Sequence, residues 1–173
     1  MKLTPTLHRL VLHWGEMAGR WGVSRSVAQI HALLFLAPEP LTADDIAGTL
    51  GIARSNVSVS LKELQTWDLV HITHVLGDRR DYFHARKDIW EVLTMILDGR
   101  KKREIDPTLQ VLRECAADSK RDSETPEQVK ERVATMLEFL EELSSWYEQV
   151  RGMPRPTLLK LMRMGTRVAK AVS

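Results

Sequence analysis

The punctuation between Thr42 and Phe83 constrains the fold more than any other feature of the chain. Thr42 is a favourable helix N-cap, and Asp44 and Asp45 follow in the first turn, where the helix dipole favours acids. The short helix they open, Ala43 to Leu50, meets Gly51, where a tight turn would need a positive φ. A second helix is expected from about Arg54 to Trp67. Leu69 to Leu76 then alternates and is rich in β-formers, Gly77 and Asp78 mark a turn, and Tyr82 and Phe83 read as a return strand. Ile46 and Leu50 share a face of the first helix, and Val57, Leu61 and Leu64 share one of the second. Two short helices crossing through Gly51 and Ile52 would bury these side chains against each other and against a preceding helix. Helix, helix, tight turn, helix and hairpin in this order describe a winged helix-turn-helix with a two-stranded wing.

The flanking sequence is helical. From Pro5 to Trp21, Leu7, Leu10, Val11, Trp14 and Met17 recur at three- and four-residue spacing, and Gly22 ends the run. Ser24 is a candidate N-cap for a helix whose stripe is Val27, Ile30, Leu33 and Leu34; Pro38 and Pro40 stop it and force an extended connection. After the hairpin come helices over roughly Asp88 to Glu104 and from near Pro107, then a polar break at Asp118 to Thr125. A long amphipathic helix follows from Pro126 to about Arg151, and a last one from Thr157 to Val172. The fold class is therefore mostly α: an N-terminal helix and winged helix-turn-helix over residues 1–88, and a helical dimerisation region over residues 89–173. In that second region an acid-rich helix (Glu131, Glu138, Glu141, Glu142) precedes a basic one (Lys160, Arg163, Arg167, Lys170), a pairing expected within or between subunits.

Composition narrows the function classes. The 173 residues carry a formal charge of only +2, so a claim on nucleic acid must rest on where the charges lie. One cysteine, Cys115, excludes an intramolecular disulfide and suits a reducing cytosol. With neither signal peptide nor membrane span visible, a soluble cytoplasmic protein without a membrane role is expected. No glycine-rich phosphate loop, Gly-x-Ser-x-Gly elbow or zinc-protease helix is present, so the chain is not expected to be an enzyme, and nothing in it calls for a cofactor.

With Val57, Leu61 and Leu64 turned inward, the outer side of the second helix carries Ser55, Asn56, Ser58, Val59, Lys62 and Glu63. That face suits the major groove of double-stranded DNA. Small hydroxyls allow close approach, Asn56 can donate and accept at a base edge, Lys62 can reach phosphate or guanine, and Val59 can meet a thymine methyl. Arg79 and Arg80 at the hairpin tip could enter a narrow minor groove, with Asp78 or Asp81 bracing one guanidinium. Thr42 and Arg54, at the starts of the two helices, complete the candidate DNA contacts. A solvated charged helix and turn would look similar in isolation; their succession favours DNA.

The runs Ala53-Arg54-Ser55-Asn56-Val57-Ser58-Val59-Ser60-Leu61-Lys62-Glu63-Leu64, Trp67-Asp68-Leu69-Val70 and Gly77-Asp78-Arg79-Arg80-Asp81-Tyr82-Phe83 resemble the MarR superfamily, and more narrowly its GbsR-type branch. Trp21-Gly22-Val23-Ser24-Arg25-Ser26, Leu33-Leu34-Phe35-Leu36 and Pro40-Leu41-Thr42 are similar to that branch too, so the resemblance covers about the first half of the chain. It implies a homodimer joined through terminal helices, a wing arginine in the minor groove, and a transcriptional regulator, expected to be a repressor, on a palindromic operator. It also implies a small-molecule effector whose identity the sequence leaves open. Asp68 departs from the family, which commonly has glycine there; aspartate tolerates the left-handed region better than most residues. His71 and His74 stand where the family is often basic.

Other features weigh less. His71, His74 and His84 lack the partners of a metal site, so none is expected. Cys115 reads as a half-buried helical residue rather than a redox sensor. Trp14, Trp21, Trp67, Trp90 and Trp146 could form an aromatic cage for a quaternary ammonium only by family analogy, since their spacing is scattered and Trp14 falls on the presumed core face. The alternative function is a winged module that binds protein and not DNA, which near-neutral total charge permits.

Overall fold

The computed structural model describes residues 3–165. The chain divides into two compact units, with the break between Gly99 and Arg100. The first holds α1 (Pro5–Arg20), α2 (Arg25–Leu36), β1 (Leu41–Thr42), α3 (Ala43–Leu50), α4 (Arg54–Thr66), β2 (Val70–His74), β3 (Asp81–Ala85) and nearly all of α5 (Ile89–Arg100). It reaches Gly99 because Val92 lies in the same core as α2 and α4, with Met95 and Ile96 packed against it.

α1 and α2 pack through a small-residue contact. A Cβ on Gly15 would stand 2.6 Å from Cγ of Gln29, so only glycine allows this approach without displacing that side chain. The contact selects Val11, Gly15 and Ala18 as the buried face. The expected stripe is thereby corrected: Leu10 is 43% exposed and Trp14 half-buried. α2 is the centre of the unit, with Val27, Ile30, Leu33 and Leu34 almost wholly inaccessible. Ser24 holds its N-cap position without a side-chain cap bond. At the other end the Lys87 ammonium donates to the carbonyls of Leu34, Phe35 and Ala37 at 2.7, 2.9 and 2.6 Å, meeting acceptors that the end of a helix leaves unpaired.

The extended connection after α2 does more than link. Leu41 pairs with Phe83 and Thr42 with Tyr82, so the expected two-stranded wing is the outer part of a three-stranded antiparallel sheet ordered β1-β3-β2. The prolines hold the connection extended beside β3, whose outward-facing backbone groups need partners. Across β2 and β3 the register places Ile72 opposite Phe83 and Val70 opposite Ala85. Left-handed residues end both helices of the pair: Gly51 at φ +66° ends α3, and Asp68 adopts φ +58° between α4 and β2. Asp68 is held there by Arg86, whose guanidinium lies 2.7 Å from its carboxylate.

The second unit opens on a π-helical turn, Lys101–Ile105, that runs directly into α6 (Asp106–Ser119). The break expected between Glu104 and Pro107 is absent. Pro107 has no N–H to donate, and the widened turn ahead of it, closed by the bond from the Asp106 N–H to the Lys101 carbonyl, accommodates it within helix. α7 (Glu127–Arg151) packs on α6, and α8 (Arg155–Met164) follows a short connection. α8 starts before Thr157; the expected continuation to Val172, with Arg167, Val168 and Lys170, lies outside the described residues. Cys115 is exposed on α6 and not half-buried, Leu109 being that helix's buried residue. No described helix is long and apolar enough to cross a membrane.

Candidate nucleic-acid interface

α3 is fixed at its start by a reciprocal cap. The Asp45 N–H donates to the Thr42 hydroxyl at 3.2 Å, and the Thr42 N–H donates to the Asp45 carboxylate at 3.0 Å. The Thr42 hydroxyl also donates to that carboxylate, and these bonds hold Asp45 below its ordinary pKa. Thr42 is only 3% exposed. Its side chain is held inside the cap and sets the start of α3, while the residue still lines the concavity between the wing and α3.

α4 buries Val57, Leu61 and Leu64, as the spacing requires, and also Ser60. Its outer side exposes Ser55, Asn56, Val59 and Lys62, with Ser58 and Glu63 half-buried. Val59 is 66% exposed, a large apolar side chain among polar neighbours. Two outer residues are already engaged. Asn56 donates from Nδ2 to the Ser26 hydroxyl at 3.0 Å, and its Oδ1 accepts from Ser60 at 3.5 Å. Its amide keeps one N–H and one acceptor site for another partner. The Arg54 guanidinium bridges α4 to α3, donating to Asp44 at 2.9 Å and to the Ser58 hydroxyl at 2.5 Å.

At the wing, Asp78 is the brace and Asp81 is not. Arg80 donates from Nε and Nη2 to the Asp78 carboxylate, the shortest contact being 2.6 Å, and its backbone N–H adds a bond of 2.9 Å. The Tyr82 hydroxyl closes the cluster, accepting from Arg80 and donating to Asp78, both at 2.8 Å. Arg80 also lies 5.5 Å from the centre of the Tyr82 ring. The Arg80 guanidinium holds the Asp78 carboxyl far below the usual carboxylate range, and Asp78 in turn drives the Arg80 pKa upward. Tyr82 is also pushed up, chiefly by its bond to Asp78. The aspartate aims Arg80 while offsetting part of its charge; exposed Arg79 has no ion-pair partner among the described residues. Asp81 sits 3.6 Å from His74 instead.

The two parts converge. Arg54, Arg79 and Arg80 line one concavity of about 250 Å³ between the wing and the starts of α3 and α4, with Asp44 and Asp81 at its walls. Sequence reasoning missed three members of the site. Tyr82 was legible in principle, because it stands at the start of the return strand only two residues after Arg80. Ser26 and Ser60 carried no signal, since only the crossing of α2 and α4 brings them to Asn56.

A separate apolar cleft of about 110 Å³ lies among Leu10, Trp14, His31, Ala32, Phe35, Leu36 and Ile89. His31 is 5% exposed, and its Nε2 has no hydrogen-bond partner among the described residues. Burial, helped by the nearby Lys87 charge, lowers its pKa to about 4, so the ring is neutral at physiological pH. The hairpin histidines line strand faces, the His71 and His84 rings 5.6 Å apart and His71 3.7 Å from the Asp68 carboxylate. Among the described residues no group of His, Cys, Asp and Glu is placed to hold a metal ion. Trp21 and Trp146 are well exposed, and Trp67 packs against the core at the end of α4.

This arrangement, a recognition-type helix flanked by a braced basic wing, defines a winged helix-turn-helix of the kind found in transcription regulators. Residues 21–81 match the model of the MarR family. The chain matches no curated protein. Among solved structures, a transcriptional regulator is 21% identical, with 86% of this chain and 97% of that one covered and a TM-score of 0.62. A MarR-family regulator from Rhodococcus sp. RHA1 is 19% identical over 76% and 84% of the two chains, TM-score 0.39, and a transcriptional regulator from Thermotoga maritima is 17% identical over 86% and 94%, TM-score 0.40. The family match covers about a third of the chain, and the first of these structures shares its fold over 86% of this chain.

Proposed function

We propose that this protein is a MarR-type transcription regulator, of the GbsR-like branch its sequence resembles, that binds double-stranded DNA as a homodimer and acts as a repressor by occupying a palindromic operator. The observation that carries the reading is the convergence of Arg54 at the head of α4 with Arg79 and Arg80 on the wing. A backbone phosphate seated there would meet cations from both elements, registering α4 in the major groove while the wing reaches the adjacent minor groove. Ser55, Asn56, Val59 and Lys62 then face the base edges. A two-fold dimer would set two such helices about 34 Å apart, one turn of DNA.

The cleft beside His31 supports control by a small molecule. Its walls are apolar, and an unpaired imidazole nitrogen there can hydrogen-bond a ligand that carries one polar group on an aromatic or aliphatic body.

The test is selection of the purified protein against random duplex DNA across a range of salt concentrations. Enrichment of an inverted repeat with half-sites one turn apart, and an affinity falling steeply with salt, is the expected result. No enrichment together with a flat salt response would replace this reading with that of a protein-binding winged module.

A further inference from the structure

The wing ends on an apolar side chain that nothing in its own unit covers. Leu76 is wholly exposed, and the next most exposed large apolar side chain among the described residues, Met162, stands at 68%. Leu76 lies beyond the last pair of the β2–β3 ladder, His74 with Asp81, at the very end of the hairpin. Val75 before it is also exposed, so the tip is apolar over two residues. Turns in water ordinarily carry polar residues, and a leucine left wholly in water forgoes the gain of burying it.

This tip is held in place. The Asp78 N–H donates to the Val75 carbonyl at 3.0 Å, closing a four-residue turn with Leu76 at its first corner. Gly77, at φ +85°, takes the second corner, where a type II turn needs a left-handed residue. Asp78 also holds Arg80 through its carboxylate, 2.6 Å from Nη2. One residue therefore fixes both the turn that presents Leu76 and the aim of the arginine. Arg79 beside them adds an exposed positive charge with no ion-pair partner among the described residues.

An apolar point flanked by aimed cations fits the minor groove of DNA. The phosphates along its edges attract arginine, the sugars of its walls are largely apolar, and apolar side chains wedge between base pairs there at steps that unstack easily. An apolar pocket on a protein would take the leucine but gives no reason for the arginines. The tip is also continuous with the concavity where Arg79 and Arg80 meet Arg54 of α4. We infer that Leu76 is an apolar wedge that enters the minor groove alongside Arg80 and opens one base step under the wing, favouring a pyrimidine–purine step. The inference rests on the DNA-binding reading above and adds to it a residue that determines specificity.

Local unstacking tests it. Full-length wild type, Leu76→Ala and Leu76→Met are titrated across salt concentrations onto the inverted repeat recovered by selection. The duplex carries 2-aminopurine at successive positions outside the α4 contact, where its fluorescence rises when stacking is lost. Wild type should raise the fluorescence at one step. Leu76→Ala should abolish that rise and bind about tenfold more weakly, with the slope of affinity against salt unchanged, because an apolar contact displaces no counterion. Leu76→Met should keep both the rise and the affinity. Exchanging the opened step for a stiff A-tract step should weaken wild type and leave Leu76→Ala unaffected. Leu76→Ala should unfold in urea like wild type, since a wholly exposed side chain supports no packing. A rise absent at every position, a Leu76→Ala variant that binds as tightly as wild type, or an affinity loss with a lower salt slope, as from a misplaced arginine, would each overturn the wedge. A wild type that binds no duplex would instead remove the DNA-binding reading itself.

Discussion

Acidification to pH 5 should destabilise the first unit through one buried side chain. His31 titrates near pH 6.5 when unfolded and near 4 in the folded protein, because the cleft and helices around it exclude water and Lys87 adds positive charge. As pH falls below 6.5, the unfolded chain takes up a proton that the folded one refuses, so stability is lost through the window from 6.5 down to 4. Two titration curves with those midpoints give a loss of about 2 kcal/mol between pH 7.5 and pH 5 from this residue alone. The assay is urea unfolding followed by tryptophan fluorescence, with Trp14 lining the same cleft, on wild type and His31→Leu. The variant should be no less stable at pH 7.5, since it removes a buried nitrogen that has no partner among the described residues. Its loss on acidification should be smaller than that of wild type by about 2 kcal/mol. Contributions from groups common to both proteins cancel in the difference. Parallel pH curves for the two proteins would refute the reasoning, because they would mean that the folded cleft hydrates and charges His31 as readily as the unfolded chain does.

Four further outcomes are expected. Arg80→Ala should weaken all duplexes alike and lower the slope of affinity against salt by about one unit; an unchanged slope would remove the wing from the interface. Asn56→Ala should cost about 1–3 kcal/mol on the preferred site and much less on scrambled DNA, measured by competition binding. Lys87→Met, which leaves three carbonyls at the end of α2 without their ammonium, should lower unfolding stability by about 1–3 kcal/mol in the same urea assay. Gly51→Val, at φ +66° with open space around it, should cost about 1–2 kcal/mol through backbone strain alone, with no steric clash to relieve.

Much of the winged segment could be read from residues because its determinants are local. A capping threonine, acids in the first turn, a glycine at a left-handed turn and the alternation of Val70 to His74 each act within a few residues of themselves. The same holds for Asp68, whose left-handed conformation followed from side-chain chemistry, and for the Asp78–Arg80 pair, two residues apart in the turn of the wing. Expectation failed where a distant element decided the outcome. The buried face of α1 moved to Gly15 because α2 lies against it, and Leu10 and Trp14 came to line a cleft instead. The Thr42 hydroxyl is engaged by the cap that the sequence itself announced.

From sequence alone came the order of elements, the inward faces of α3 and α4, the polar outer side of α4 and the basic tip of the hairpin, since periodicity and turn chemistry are properties of neighbouring residues. Tertiary structure decided the rest. β1 joined the sheet because the proline-held connection happens to run beside β3; Asn56 is steadied by Ser26 from another helix; Arg54 and the wing arginines gather around one concavity; and His31, unremarkable in sequence, loses its charge. Each of these depends on groups far apart in the chain being brought within a few ångströms, where burial and Coulomb interactions become strong enough to matter, and no local pattern encodes that approach.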